Sequence, residues 1–242
     1  MVKRAHFECG ESAVTVIADE RHHPVIRHAV MEARACIQQQ IDQDPFFAVT
    51  LEPYPPPGKE EVVDRMCRAS QLTGVGPMAA VAGAVAEQAV MAAMKDGADF
   101  VVVDNGGDIA LHTDREVTIG LYGIDPALHS LGMLIPPIEG ILGVCSSSAR
   151  IGHSISFGTA DICTVLAEDV TLADATATHL GNLIVDASTH IMDSSLRAVM
   201  DIPGVKAALA SAEGRIAMKG DMPRLLRVRP SESLITKRVH LR

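Results

Sequence analysis

Residues 101–111 read VVVDNGGDIAL. Three consecutive valines should form a strand in a core, yet the run breaks into Asp104-Asn105-Gly106-Gly107-Asp108 and then resumes as Ile-Ala-Leu. Asn-Gly between two apolar runs is a strong β-hairpin signal. Adjacent glycines also remove Cβ atoms, so backbone N–H groups can approach a phosphate or a ring edge directly. The two readings are compatible, because a tight turn can also be the wall of a ligand cleft.

Working outward, strands are expected at 99–104, 107–112 and 116–122, then a long loop carrying Pro126, Pro136 and Pro137. Two further strands are expected near 140–146 and 161–167. Upstream, residues 74–97, GVGPMAAVAGAVAEQAVMAAMKDG, read as a helix with Pro77 in its first turn and Gly97 as its stop. Its body is almost all Ala, Val and Met, so it should be buried in the domain rather than laid on its surface. Ala79, Ala80, Ala82, Gly83 and Ala86 are small enough to let another backbone or a ligand come close.

An opening hairpin is expected around Cys9-Gly10-Glu11-Ser12, and helices near 24–43 and 60–72 flank the proline-rich loop LEPYPPPGKEE. Towards the C-terminus, helices are expected at 171–186, 192–201 and around 204–212, with short strands near 215–218 and 224–228. Neighbouring strands joined by short turns pair antiparallel, so the fold class is α+β. A dinucleotide-binding βαβ repeat does not fit, since GVGPMA at 74–79 lacks the third glycine and follows a helix.

The chain has 242 residues, 48% of them hydrophobic and 21% charged, which suits a globular protein with a sizeable core. The formal charge of −9 argues against a nucleic-acid partner, and so does the absence of tryptophan. No apolar run is read as a membrane span, and the N-terminus MVKRAHFECGES lacks the apolar region of a secretory signal. Cys9, Cys36, Cys67, Cys145 and Cys163 are odd in number and scattered, which reads as free thiols in a reducing cytoplasm.

Two further clusters can carry chemistry. In CSSSARIGH, Ser147 and Ser148 precede Arg150, a planar fork for phosphate, and His153, a base or hydrogen-bond donor. The alternative is a polar loop with a solvated arginine. In LADATATH, Asp174 and Thr178 are four apart and share a helix face, offering hard oxygen ligands for Mg²⁺. The alternative there is a helix start, with Asp174 favouring the dipole. His22, His23 and His28 are expected on a solvated surface of the first helix.

Three stretches in this order resemble the ApbE-type flavin transferases. GVGPMAAVAGAVAE is similar to their small-residue helix, in which a pattern like DLGGIAKGYAVD recurs. VVVDNGGDIAL looks like their strand and turn ending in N-x-G-G-D-I, and CSSSARIGHSISFG followed by LADATATHL resembles their T-S-G…R…HH-I…G and A-D-A-L-A-T-A segments. The resemblance spans about residues 10–187, and is nearer still to an uncharacterised microbial family placed beside ApbE.

It implies a fold of the T-fold kind, with duplicated antiparallel sheets backed by helix pairs, and a single ApbE-like domain over residues 1–242. It also implies FAD or a related nucleotide in a cleft, Mg²⁺ on Asp174 and Thr178, and a third metal ligand from a backbone carbonyl near Val81 or Ala82. Asn105, Gly106, Gly107, Asp108, Ser147, Ser148 and Arg150 would bind the cofactor, and Arg150, His153 and Asp174 would carry the chemistry. The chain departs from the pattern at two places. Val81-Ala82-Gly83-Ala84 carries no lysine, and His153 is followed by Ser154 rather than a second histidine. Three readings follow: a Mg²⁺-dependent enzyme on a flavin nucleotide, a flavin- or heterocycle-binding module without chemistry, and a homo-oligomeric assembly protein built on apolar helices.

Overall fold

The structure is a computed structural model that describes residues 1–121, 128–148 and 158–228. It begins with β1 (Val2–Cys9), β2 (Ser12–Asp19), α1 (His23–Gln43), the single turn α2 (Phe46–Val49) and α3 (Glu61–Thr73). A 3₁₀ turn over Pro77–Ala80 leads into α4 (Val81–Lys95), then β3 (Phe100–Asn105), β4 (Asp108–Thr113), β5 (Val117–Gly120) and β6 (Leu131–Ile135). The second half holds β7 (Ile138–Ser147), β8 (Ile162–Ala167), α5 (Val170–Leu183), α6 (Thr189–Met200), β9 (Val205–Ala212), β10 (Arg215–Gly220) and β11 (Arg224–Arg227).

Eight strands form one sheet in the order β1-β2-β3-β4-β7-β8-β9-β10, and every pairing is antiparallel. Each half reads strand-strand, helices, strand-strand, and each half's strands lie in sequence order. The duplication expected from the sequence therefore appears as two repeats fused edge to edge through β4 and β7. A small sheet, β11-β6-β5, stands apart.

The three valines show why the sheet is apolar on both sides. Val101 and Val103 pack with Ala84, Val85 and Val90 of α4 and with Val170 and Ala173 of α5. Val102 points the other way and packs with Leu111, Ile119, Met133 and Ile135 under the small sheet. Alternating side chains of one strand thus reach opposite faces, and both faces are covered.

Three expectations are corrected. Residues 204–212 are not a helix: VKAALASA is β9, a central strand between β8 and β10. Alanine favours helix in isolation, but a slot between two strands and under α6 overrides that preference. LGMLI at 131–135, read as loop beside its prolines, is β6. Pro77–Lys95 is, by length and composition, apolar enough to cross a membrane, contrary to the sequence reading. Its Gly83, Ala84, Val85, Ala86, Ala89, Val90 and Ala93 are buried within the chain, so one apolar face belongs to the core, while Met91 stays exposed.

Candidate functional site

The turn between β3 and β4 is the two-residue loop Gly106-Gly107, with Asn105 paired to Asp108. Both glycines have positive φ, 72° and 108°, which side chains adopt only with strain. Asp104 fixes the turn by accepting the Gly107 N–H at 2.9 Å. A Cβ built on either glycine would meet no atom within 4 Å, so the space beside the turn is open.

Strand alternation sends Asn105 and Asp108 to the helix side of the sheet, where both are buried. Asn105 Nδ2 donates to the Ala82 carbonyl at 3.1 Å, tying the hairpin to the first turn of α4. Asp108 lies opposite Cys145 of β7 and accepts the Ser146 N–H at 3.3 Å. From the other side, Asp174 of α5 accepts the Gly83 N–H at 2.7 Å.

The Asp108 and Asp174 carboxyls lie close enough to interact. Burial drives Asp108 well above the usual carboxylate range, and the Asp174 charge adds to the rise. Burial also raises Asp174, opposed by the Gly83 and Ala82 amides. Two buried carboxylates in contact resist ionising together, so the pair retains a proton where isolated aspartates have lost theirs. Cys145, beneath them, is fully buried and its thiol is pushed up by burial, then by Asp108 and Asp174. It is a core residue without nucleophilic character.

A stability prediction follows from the sign of the shift. Unfolded aspartates titrate near pH ~3.9. Above that, and up to the raised range of the pair, the folded chain binds more protons than the unfolded one, so stability falls as pH rises. Thermal unfolding in EDTA should show a Tm that declines from pH 5 towards pH 8 more steeply in the natural protein than in Asp108→Asn. Equal slopes would show that the two carboxyls do not share a proton.

The residues singled out from sequence are placed as follows. Asn105, Gly106, Gly107, Asp108 and Asp174 come together at one end of α4. Thr178 is buried one turn beyond Asp174, on the same helix face. Ser147 is two residues past Cys145, so it shares the helix side of β7, and its buried hydroxyl has no partner among the described residues. Ser148 follows it directly; Arg150 and His153 lie outside the described residues. Among the described residues, Asp108 meets Asp174 and the Ser146 amide. Asp174 is not the cap of its own helix. Asp169 caps α5 through the Leu172 N–H, and Asp174 serves α4 instead.

Among the described residues, no group of three or more His, Cys, Asp or Glu is arranged to hold a metal ion. A cation here would rest on two carboxylates plus neutral oxygens. His22 is not on a solvated face: it is buried, with its ring nitrogen 2.7 Å from Asp96. A groove of about 470 Å³ between α1, α3 and α4, lined in part by Glu32, Glu61, Met91 and Lys95, contains none of the site residues.

A family model described as AbpE bacteria matches residues 1–212. The chain belongs to this family. Its curated relatives carry the name UPF0280 protein. The one from Methanocella arvoryzae is 44% identical over 98% of this chain and 96% of its own length, and the one from Methanoculleus marisnigri is 46% identical over 96% and 95%. Among solved structures, the apo flavinyl transferase ApbE of Pseudomonas stutzeri superposes with a TM-score of 0.58 at 14% identity, covering 90% of this chain and 94% of that one. The flavin transferase ApbE of Vibrio cholerae gives 0.55 at 13% identity, over 90% and 97%. At such identities the AbpE bacteria family member and these enzymes share a fold of helices on antiparallel sheet.

Proposed function

We propose that this chain binds FAD or a related nucleotide together with Mg²⁺ between the hairpin, α4 and α5, and splits or transfers the flavin nucleotide with AMP as the leaving group. The observation that carries this reading is the buried Asp108–Asp174 pair facing an open glycine turn. Burying two like charges in contact is costly unless a cation joins them. The donors at hand are all oxygens, which suits Mg²⁺.

Asp108, Asp174 and the Thr178 hydroxyl would hold the ion, with the second lone pair of the Ala82 carbonyl beside them. When bound, Mg²⁺ supplies positive charge to the non-bridging oxygens of a phosphoanhydride. The bare Gly106-Gly107 backbone would form a wall of the nucleotide site, Ser147 and Ser148 would offer hydroxyls to it, Arg150 would add a phosphate fork, and His153 a proton acceptor. We extend the reading to one T-fold-like domain over residues 1–242, acting in the cytoplasm, where five free thiols are at home.

A second reading, nucleotide binding without chemistry, is favoured by one observation: the first turn of α4, Val81-Ala82-Gly83-Ala84, carries no cation. Incubating the protein with FAD and MgCl₂ and following AMP by chromatography separates the two. Mg²⁺-dependent AMP release is expected. A rise in Tm with FAD and Mg²⁺ but no AMP would select the binding module, and neither response would remove the flavin reading.

A further inference from the structure

The α4 and α5 helices are tied to one another twice, and the ties are reciprocal. Asp174 of α5 accepts an amide from the first turn of α4, at Gly83. Glu87 of α4 accepts from the first turn of α5, taking the Thr171 N–H at 3.2 Å and the Thr171 hydroxyl at 2.6 Å. The helices run antiparallel here: Gly83 to Glu87 advances one turn along α4, while Asp174 to Thr171 steps back along α5. First-turn amides have no acceptor within their own helix, and a carboxylate beside them also gains from the helix dipole.

Glu87 is only 2% exposed and is not left as a bare charge. Arg65 of α3 forms an ion pair with it and reaches Asp169, the α5 cap, at 3.3 Å. Three helices thus meet at the start of α5. Nothing in the sequence pattern marks Glu87, which is a lone acid in an apolar helix four residues after Gly83.

We infer that Glu87, held by Arg65, is a positioning residue: it fixes the register of α5 on α4 in which Asp174 meets the α4 amides and Asp108. An aspartate side chain is too short to follow a slip. Moving α5 by one residue shifts it ~1.5 Å and turns it ~100°, which carries Asp174 off Gly83 altogether. The inference rests on the proposed function only in taking the Asp108–Asp174 pair as the cation site.

Amide hydrogen exchange at Gly83 reads the register without metal. In Glu87→Ala, exchange at Gly83 should quicken by about tenfold, the effect of losing one charge-assisted hydrogen bond across the seam. Glu87→Gln keeps an acceptor for Thr171 but loses the charge that pairs with Arg65. It should fall between Glu87→Ala and the natural protein, and it carries the test if Glu87→Ala does not fold. Leu196→Ala, a core truncation in α6, is the control for general destabilisation and should leave Gly83 exchange unchanged relative to neighbouring core amides. The Mg²⁺ dissociation constant, measured by calorimetry, should weaken in the same order. Unchanged Gly83 exchange in a folded Glu87 variant, or equal acceleration in Leu196→Ala, would overturn the inference. A natural protein that binds no Mg²⁺ would sink the proposed function and leave the exchange result to decide the register.

Discussion

Asp174→Asn is expected to abolish Mg²⁺-dependent AMP release from FAD while leaving the metal-free protein as stable or more stable at pH 8. The asparagine oxygen can still accept the Gly83 N–H, so the α4 cap survives. What is lost is the negative charge that faces Asp108. Removing one of two buried, mutually repelling carboxylates relieves the burial penalty, and each unit of displaced pKa is worth about 1.36 kcal/mol. The same change takes away half of the anionic charge available to a divalent ion, so the Tm rise on adding MgCl₂ should vanish. Activity and metal-free stability should therefore move in opposite directions, which plain unfolding does not produce. AMP release at the natural rate in this variant would remove Asp174 from the mechanism.

Gly83→Val should be strongly destabilising. A Cβ at this position would sit 2.7 Å from the Val170 carbonyl oxygen and 2.7 Å from the Asp174 Cβ. Neither atom is the free end of a flexible side chain, so α4 and α5 must separate. Overpacking of this kind costs about 1–3 kcal/mol, and two further methyl groups place Gly83→Val at the upper end. For a chain of this size that is a Tm loss on the order of 10 °C, readable by scanning calorimetry. Separation would also pull Asp174 from its amide, so any Mg²⁺ response should be lost with it. Gly83→Ala should give a smaller loss in the same direction. An unchanged Tm in Gly83→Val would mean that the close approach of the two helices is not fixed.

Much of the fold was legible in VVVDNGGDIAL and in the small-residue helix before it. Asn-Gly-Gly-Asp dictates a tight turn because only glycine takes positive φ freely, and the structure forms that turn between β3 and β4. Sequence pattern placed α1, α3, α5 and α6 to within a few residues of their bounds, whereas α4 starts at Val81, after a 3₁₀ turn, later than the expected start at 74. Residues 204–212 went the other way: an alanine-rich segment carries no local sign that it will be walled by strands on both sides.

The site was legible in parts only. The hairpin glycines, Asp108 and Asp174 each stood out for chemistry on their own short stretches. That they converge was implied by the family resemblance alone, while the contact of Asp108 with Asp174 and the pairing of Glu87 with Thr171 were not legible at all.

The sequence by itself determined the turn, the burial of α4, the α+β class and the family likeness, because each is written in neighbouring residues through backbone freedom and side-chain period. Only the tertiary structure decided that two aspartates 66 positions apart lie buried beside each other, and that Asp174 serves the amides of α4. Such contacts depend on strand order and on the distance between packed helices, which no local pattern specifies.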